Sequence, residues 1–494
     1  MRYGGHWRRS ILLLILVLAF GCSSCGVTAA LAPPEAVAGR PAVFMEVTRI
    51  VESAYWNVDK LNPQTLLKGA AEGLESDLRH HGGSLSFKGQ QMVIALNGHT
   101  KIIDLPSITS MTEFIHTFVD MHDFLQQYQR SNGKRVPWEY DAIEGMVKVL
   151  DHNSAFMPPD VFHEMQEETK GSFGGIGIRI GLEEGEVVIL EPIEGTPATR
   201  VGLKQGDRIV KIDGHPTKGL TLQEAVRRMR GPVGSRVVLS VARAGAVEPE
   251  ELSITRAKVD IKTVESRVLD GRIGYLKVRG FQENTQQESE RALGRLAQQK
   301  IEGLILDLRN NPGGLLSQSV KVCNLFMDEG LLVVYTEGRV RNQNTRFTAN
   351  GVGQYRHFPL IVLINAGSAS GSEIVAGALQ DLHKATILGT KSYGKGSVQT
   401  IFPLQDGSGL RLTTARYFTP NGRNIDGVGI TPDIEVQNSG KDDRQLTTAH
   451  AIMKEALAVG NRRKPSRGRG TALIDSGMIT DVGRGMMAVP QDIP

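Results

Sequence analysis

Lys395 is the residue of this sequence whose chemistry most needs an explanation. It lies in "GTKSYGKGSVQ", residues 389–399, directly after the apolar run 385–388. An ordinary lysine has a pKa of about 10.4 and is almost fully protonated at neutral pH, so it cannot accept a proton there. Burial can lower a lysine pKa by about 3 to 5 units, and Tyr393 and Val398 could supply apolar cover. The stretch therefore predicts a general base that works only if Lys395 is buried.

The same stretch differs from a nucleotide-binding P-loop at a decisive position. It matches at Gly389, Gly394 and Lys395 but has Gly396 where the magnesium-binding hydroxyl belongs. A P-loop also continues into a helix, whereas the following "SVQTIFPL" is typical of a strand. We therefore expect neither a nucleotide nor a metal or other cofactor at this site.

A lysine base needs a hydroxyl nucleophile, and Ser370 in "INAGSASGSEIVAGALQD" is the candidate. A buried strand runs there into small residues and then into a helix, whose first-turn N–H groups favour a developing negative charge. Ser368 and Ser372 are alternative nucleophiles, and a triad of Ser370 with His383 and Asp381 is a further alternative without a spacing argument. An α/β-hydrolase elbow is not supported, because position 368 is serine rather than glycine.

These stretches together resemble the active site of the carboxyl-terminal processing proteases, also called tail-specific proteases. The two segments that contain Ser370 and Lys395 stand in the family's order with 25 positions between these residues, and "DLRNNPGGLL" resembles the family's oxyanion-hole segment. The resemblance covers about residues 141–436. It implies an α/β fold with a crotonase/Clp-protease-like ββα core and an inserted PDZ domain, and it implies serine endopeptidase activity.

The resemblance also assigns catalytic roles. Ser370 would be the nucleophile and Lys395 the base. Gln399 is four residues beyond Lys395, a spacing that would place both side chains on one face of a helix or a strand, where the amide could orient the amine. The sequence therefore predicts a Ser-Lys-Gln site.

The oxyanion hole implied by the resemblance consists of backbone N–H groups. Gly371 would supply one of them and either Gly313 or Gly314 the other. Gly371 is a departure from the family, which usually has alanine there. The N–H is retained, but glycine allows a looser turn.

Residues 171–258 read as short strands with turns and one helix, and they resemble the inserted PDZ domain of the family. In the loop "FGGIGI", successive N–H groups could bind the terminal carboxylate of a peptide, while the next strand pairs with that peptide. The alternative is that the glycines only form a tight turn. We expect a groove that selects free, apolar C-termini, lined by Gly175, Ile176, Gly177, Ile178, Leu222 and Val226.

The N-terminal residues predict an export signal. Three arginines occur within residues 1–9, an apolar run occupies residues 11–20 and small residues fill 21–30. The stretch "LAFGC" resembles a lipobox, although Leu18 is one position too far from Cys22. Two interpretations stay open, a cleaved soluble protein and a protein anchored through lipid on Cys22, both in the bacterial periplasm or cell envelope.

Composition restricts the remaining functions. The chain has 494 residues, of which 40% are hydrophobic and 22% charged, and this predicts a globular protein of several domains. A net charge of +4 does not indicate a nucleic-acid partner. Beyond the predicted signal the only cysteine is Cys323, so no disulfide framework is expected, and its apolar surroundings predict a buried thiol.

The sequence thus predicts an exported serine endopeptidase that cleaves protein or peptide substrates near free apolar C-termini. The alternative is a non-catalytic PDZ scaffold or chaperone in the cell envelope, and the family also makes a homo-oligomer possible. The predicted segments are a signal at 1–30, a helical N-terminal region at 41–160, a PDZ domain at 171–258, a serine protease core at 259–440, and a C-terminal helix with a basic tail at 441–494.

Overall fold

The computed structural model describes residues 41–129, 138–243, 245–246, 248–439 and 442–462. The predicted signal, Cys22 and the basic tail lie outside the described residues. Within the described part of the chain, no helix combines the length and the apolar character that crossing a bilayer requires.

The N-terminal region is a helical layer with its own core. Phe44 stacks on Phe118 with 3.4 Å between ring centroids. Two helices of this region approach closely, since a Cβ atom on Gly145 would lie 2.1 Å from the carbonyl oxygen of Gly69. The helices are α1 (Ala42–Ala54), α2 (Pro63–Gly73), α3 (Glu75–His80), α4 (Met111–Tyr128) and α5 (Trp138–Lys148).

A three-stranded antiparallel sheet is inserted into this helical region. Its strands are β1 (Gly83–Lys88), β2 (Gln91–Leu96) and β3 (His99–Asp104). Asn97 and Gly98 connect β2 and β3 with φ angles of 50° and 87°, the left-handed conformations that a tight hairpin needs. The helical periodicity of the region did not predict this sheet, although Asn-Gly between alternating apolar residues is a hairpin signal.

The PDZ-like module follows strand β4 (Ala155–Met157) and helix α6 (Pro159–Lys170). Its main sheet has the strand order β11-β10-β8-β7-β6, with β9 beside β8, while β5 pairs with β12. The elements are β5 (Ser172–Gly175), β6 (Ile178–Glu183), β7 (Glu186–Pro192), α7 (Pro197–Arg200), β8 (Arg208–Ile212), β9 (His215–Pro216), α8 (Leu222–Met229), β10 (Arg236–Ala242), β11 (Glu250–Thr255) and β12 (Ala257–Asp260).

The remaining elements form a layered α/β core with two sheets. The first has the order β13-β14-β15-β18-β19-β22 and is parallel except for β13. The second is antiparallel, with the order β17-β16-β21-β20 and with β4 beside β21. The strands are β13 (Val264–Leu269), β14 (Ile273–Val278), β15 (Gly303–Asp307), β16 (Leu332–Gly338), β17 (Arg346–Thr348), β18 (Leu360–Ile364), β19 (Thr386–Gly389), β20 (Ser397–Pro403), β21 (Gly409–Phe418) and β22 (Ile434–Glu435).

Helices cover the parallel sheet of this core. They are α9 (Thr285–Gln298), α10 (Leu316–Cys323), α11 (Gly371–Asp381) and α12 (Arg444–Arg462). Every residue of the central strands β15 and β18 is buried, as expected for a sheet covered on both faces. The Cys323 thiol is fully buried and its burial raises its pKa, in agreement with the prediction of an inert apolar side chain.

Candidate active site

Ser370 lies in the sharp turn between strand β18 and helix α11. Its backbone has φ 52° and ψ −113°, a conformation that costs a residue with a side chain about 1 to 3 kcal/mol. In hydrolases, a strained turn of this kind between a strand and a helix exposes the side chain of the nucleophile. The pattern G-x-S-x-G was absent from the sequence, yet the turn has the geometry that this pattern usually produces.

The serines on either side of Ser370 point elsewhere. The Ser368 hydroxyl donates to the Leu308 carbonyl at 2.8 Å, and the Ser372 hydroxyl donates to the Asn311 carbonyl at 2.9 Å. Both side chains are fully buried, whereas Ser370 is partly exposed and lines a cleft. Of the three, only Ser370 could meet a substrate.

The cleft at Ser370 has a volume of about 360 Å³ and a mostly apolar wall. Gly314, Gln399 and Arg411 line it together with Ser370. Its apolar residues come from several elements and include Phe281, Leu315, Leu316, Ile374, Val398 and Ile401. A peptide segment with apolar side chains would fit this wall.

Lys395 is half-buried just before strand β20 and does not line the cleft, but its carbonyl accepts a hydrogen bond from the cleft residue Tyr417. Burial lowers the pKa of its amine, and the positive charge of Arg411 lowers this pKa further. Among the described residues no carboxylate pairs with the amine. Desolvation and a neighbouring cation are the conditions that favour a neutral lysine.

Glu373 joins the serine segment to the lysine segment. One oxygen of its buried carboxylate accepts the N–H of Ser370 at 2.8 Å and the N–H of Lys395 at 2.9 Å. The other oxygen accepts the Ser392 hydroxyl and the N–H of Gly394, both at 2.6 Å. No cation of the described residues lies within ion-pair distance of it, so these hydrogen bonds stabilise the buried carboxylate. Glu373 therefore fixes the two backbone segments relative to each other.

The sequence analysis did not identify Glu373. The available signal was its spacing, since Ser370 and Glu373 form an S-x-x-E pattern at the start of a helix. That pattern predicts a bond from the carboxylate to the Ser370 N–H. It does not predict the bonds to residues 392–395, because these arise only when the chain folds.

Gln399 lies in the same cleft as Ser370. The four-residue spacing predicted that Gln399 and Lys395 share one face of a helix or a strand, and the local structure does not match this. Lys395 precedes strand β20, and a bulge lies between Val398 and Gln399, so no regular element carries both side chains. The Gln399 amide donates to the Ser397 hydroxyl at 2.8 Å. Asn153 of the N-terminal region donates to the same hydroxyl at 3.1 Å. The orientation of the Lys395 amine by Gln399 stays a prediction.

Near Ser370, the backbone N–H groups of Gly371 and Gly314 have no acceptor among the described residues. The Gly313 N–H, in contrast, donates to the Asn311 side chain at 2.9 Å. A Cβ atom on Gly313 would lie 2.7 Å from the Ser370 Cβ, which places this turn directly against the serine. Of the two candidates left open by the sequence, Gly314 has the N–H that is free to bind an oxyanion.

Close contacts around position 371 explain why this residue is glycine. A Cβ atom there would lie 2.3 Å from the Ser319 hydroxyl oxygen and 3.0 Å from the Phe281 ring. Alanine would require these neighbours to move, so glycine at 371 and serine at 319 fit each other.

The alternative triad is not assembled. The Asp381 carboxylate accepts the N–H of Asn421 at 2.9 Å and pairs with Arg423. Neither Asp381 nor His383 lines the cleft that contains Ser370. In the described part of the chain, no cluster of histidine, cysteine or acidic side chains could hold a metal ion.

The predicted peptide groove is a separate cavity of about 280 Å³ between strand β6 and helix α8. All six predicted residues line it: Gly175, Ile176, Gly177, Ile178, Leu222 and Val226. Gly177 has φ 81°, and a Cβ atom there would lie 2.3 Å from the Cβ of Thr196, so the loop requires glycine. Peptide binding by these residues stays a prediction.

Comparison with known proteins agrees with this architecture. The sequence profile of peptidase family S41 matches residues 272–436, and that of the PDZ domain matches residues 188–243. The chain is thus a serine peptidase of family S41 with an inserted PDZ domain, and the predicted fold class is confirmed.

Relatives identify the family more closely. The chain is 46% identical over 301 residues to the carboxy-terminal-processing protease of Bartonella bacilliformis, covering 60% of this chain and 69% of that protein. It is 40% identical over 324 residues to the carboxyl-terminal-processing protease of Synechocystis, covering 64% and 75%. A solved structure, the photosystem II D1 C-terminal processing protease, is 28% identical and covers 80% of this chain and 93% of its own, with a TM-score of 0.44. The chain belongs to the carboxy-terminal-processing protease family, and peptides or proteins are its substrates.

Proposed function

We propose that this protein is an exported endopeptidase in which Ser370 attacks the scissile carbonyl and Lys395 accepts the serine proton. The observation that carries the proposal is the Glu373 carboxylate, which binds the backbone N–H groups of both residues beside an apolar cleft. Burial that lowers the Lys395 pKa supports the role of base. A neutral amine is the form that can take up the proton.

In the proposed reaction the Ser370 Oγ–H bond breaks, its proton moves to the Lys395 Nζ, and the oxygen bonds to the carbonyl carbon. The N–H groups of Gly371 and Gly314 would hold the oxyanion, a contribution often of about 3 to 4 kcal/mol per donor. The Lys395 ammonium then protonates the leaving amine, and water hydrolyses the acyl-enzyme. In this scheme Gln399 would orient the Lys395 amine after exchanging its bond with Ser397.

We further propose that the PDZ groove recruits free C-termini to this cleft. The groove joins a glycine-containing loop to apolar side chains of helix α8, which suits a terminal carboxylate followed by apolar residues. Binding of the tail there raises the local concentration of the same polypeptide at Ser370. Cleavage near the C-terminus follows.

A peptide with a free apolar C-terminus tests both proposals when its hydrolysis is compared with that of the amidated peptide. Ser370→Ala and Lys395→Ala should lose at least about 1,000-fold in kcat/KM, while Lys391→Ala, an exposed lysine of the same loop, should retain full activity. Equal cleavage by the two active-site variants would refute the mechanism. Equal cleavage of both peptides would refute carboxylate recognition, and peptide binding without any turnover by wild type would favour a non-catalytic scaffold.

Export and anchoring are a separate proposal based on residues 1–30. We expect the protein outside the cytoplasm, either cleaved or carrying lipid on Cys22. Fractionation of cells that produce the full chain, combined with labelling by a fatty-acid analogue, tests both outcomes. Labelling that disappears in Cys22→Ser would establish the anchor, and a cytoplasmic full-length protein would refute export.

A further inference from the structure

Tyr417 of strand β21 hydrogen-bonds to the Lys395 segment and lies at the cleft that contains Ser370. Its side chain is 2% exposed and lines the cleft that contains Ser370. The phenol donates a hydrogen bond to the Lys395 carbonyl, and Ser370 lines the same cleft as the phenol. The Tyr417 N–H donates to the Gly396 carbonyl at 2.9 Å. Tyr417 is thus bonded to the lysine segment by its phenol and by its backbone N–H, at the cleft that contains Ser370.

The phenol is suited to hold an oxygen atom rather than to exchange a proton. Burial raises the pKa of Tyr417 far above its usual value, and the negative charges of Glu373 and Asp426 raise it further against the effect of the Ser370 hydrogen bond. The phenol therefore keeps its proton at neutral pH. With its hydrogen on the Lys395 carbonyl, the phenol oxygen has lone pairs free to accept the Ser370 hydroxyl.

We propose that Tyr417 is a further catalytic residue, whose phenol holds the Ser370 Oγ at a fixed position relative to the Lys395 segment. In the resting site the Ser370 hydroxyl donates to the phenol oxygen. Rotation of that hydrogen towards the Lys395 amine precedes proton transfer, and Tyr417 keeps its own proton throughout. The inference rests on the proposed function of Ser370 and Lys395 and adds a residue to it.

This role differs from that of Glu373. Glu373 binds the backbone N–H groups of Ser370 and Lys395, so it sets the path of the chain. In the proposal Tyr417 binds the reacting side chain of Ser370, so its loss should reduce the reactivity of the hydroxyl without moving the turn. Because misplacement of a reacting atom by about 1 Å can cost about 100-fold in rate, a single phenol can have a measurable effect.

The experiment measures how fast a small fluorophosphonate probe labels Ser370 in the full-length protein. In Tyr417→Phe the second-order labelling rate should fall about 10- to 100-fold, and kcat for a peptide should fall in parallel with KM unchanged. The position of the acid limb of kcat/KM should not move, because Tyr417 is not the base. Tyr355→Phe is the matched control, since it removes a buried phenol of the same core, with its own hydrogen bond to Glu290, away from the cleft.

Further variants separate chemistry from folding. Replacement of Tyr417 by para-fluorophenylalanine fills the space of the hydroxyl without donating a hydrogen, and it should show the same loss even if Tyr417→Phe does not fold. Replacement by para-aminophenylalanine restores a donor to the Lys395 carbonyl and a weaker acceptor for the Ser370 hydroxyl, and it should recover part of the labelling rate. A folded Tyr417→Phe or para-fluorophenylalanine protein that labels at the wild-type rate would overturn the inference. Absence of probe on Ser370 in wild type, judged against Ser370→Ala, would instead overturn the proposed function.

Discussion

The proposed catalytic cleft and the predicted PDZ groove are built in opposite ways. Behind the cleft, a buried carboxylate and a buried phenol bond to defined backbone groups, and Ser370 is held in a strained conformation. The groove consists of a glycine-containing loop and apolar side chains such as Leu222, which is 37% exposed. Bond breaking requires reacting atoms at fixed positions, whereas a groove that accepts many chain ends needs only a backbone edge and apolar surface.

This difference predicts that the cleft is sensitive to loss of single polar atoms and that the groove is not. Among changes that leave Ser370 and Lys395 in place, the largest effect is expected for Glu373→Gln. An amide group presents its own donors to the backbone N–H groups that the carboxylate now binds, so the serine and lysine segments should separate. We expect a loss of at least about 100-fold in kcat and in the rate of Ser370 labelling, together with a lower unfolding temperature.

Glu435→Gln is the control for this change, because Glu435 is exposed on the edge strand β22. Affinity of the PDZ groove for a C-terminal peptide should be unchanged in both variants. A Glu373→Gln protein with wild-type kcat would show that the hydrogen bonds of this carboxylate do not position the site, and the contrast between cleft and groove would then fail.

The second prediction concerns packing behind the proposed oxyanion hole. Gly371→Ala places a Cβ atom 2.3 Å from the Ser319 hydroxyl, and such overpacking typically costs about 1 to 3 kcal/mol. We expect kcat to fall about tenfold, since the Gly371 N–H moves with the turn. Ser319→Ala alone should have little effect, and the double variant should recover both kcat and unfolding temperature. An additive double variant would show that Ser319 is not the reason for glycine at 371.

The groove should respond in KM rather than in kcat. Leu222→Asp replaces an apolar wall with a charge, and loss of about 1 to 1.5 kcal/mol of apolar contact would raise KM about fivefold to tenfold for a tail peptide. Leu182→Asp is the matched control, since Leu182 is an exposed leucine of the same module outside the groove. Neither variant should change Ser370 labelling. A fall in kcat for Leu222→Asp with unchanged KM would contradict simple recruitment by the groove.

The sequence was most informative where the predicted function depends on one contiguous motif. The turn at Ser370, the Lys395 loop and the PDZ loop at Gly177 are contiguous motifs, and the confirmed fold class follows from strands and helices of recognisable period. The sequence could not show which of Gly313 and Gly314 has a free N–H. The answer depends on the hydrogen bond from the Gly313 N–H to the Asn311 side chain.

Residues that act across the fold were also beyond the sequence patterns. Tyr417 follows Lys395 by 22 positions, and nothing in "ARYFTP" indicates that its phenol reaches the Lys395 carbonyl. Asn153 reaches Ser397 from the N-terminal region, 244 positions away. The argument for Gln399 assumed a regular element that a bulge interrupts. These contacts come from packing between separate elements, which periodicity does not encode.

The smallest effect is expected for Arg411→Gln, which removes a charge near Lys395 without removing any hydrogen bond of Glu373. Burial and the Arg411 charge both lower the pKa of Lys395, so Arg411→Gln should raise that pKa. Because the proposed reaction needs the neutral amine, activity should increase as pH rises through this pKa, and a higher pKa should move the acid limb of kcat/KM to higher pH.

Arg411→Lys retains the positive charge and should leave the acid limb near its wild-type position, even if contacts with the substrate weaken and KM rises. Higher ionic strength should displace the wild-type limb only slightly, since a partly buried pair is poorly screened. An acid limb in Arg411→Gln that stays in place, or moves to lower pH, would mean that burial alone keeps Lys395 neutral. The pKa of Lys395 would then depend on burial and not on neighbouring charges, and Arg411 would only contact the substrate.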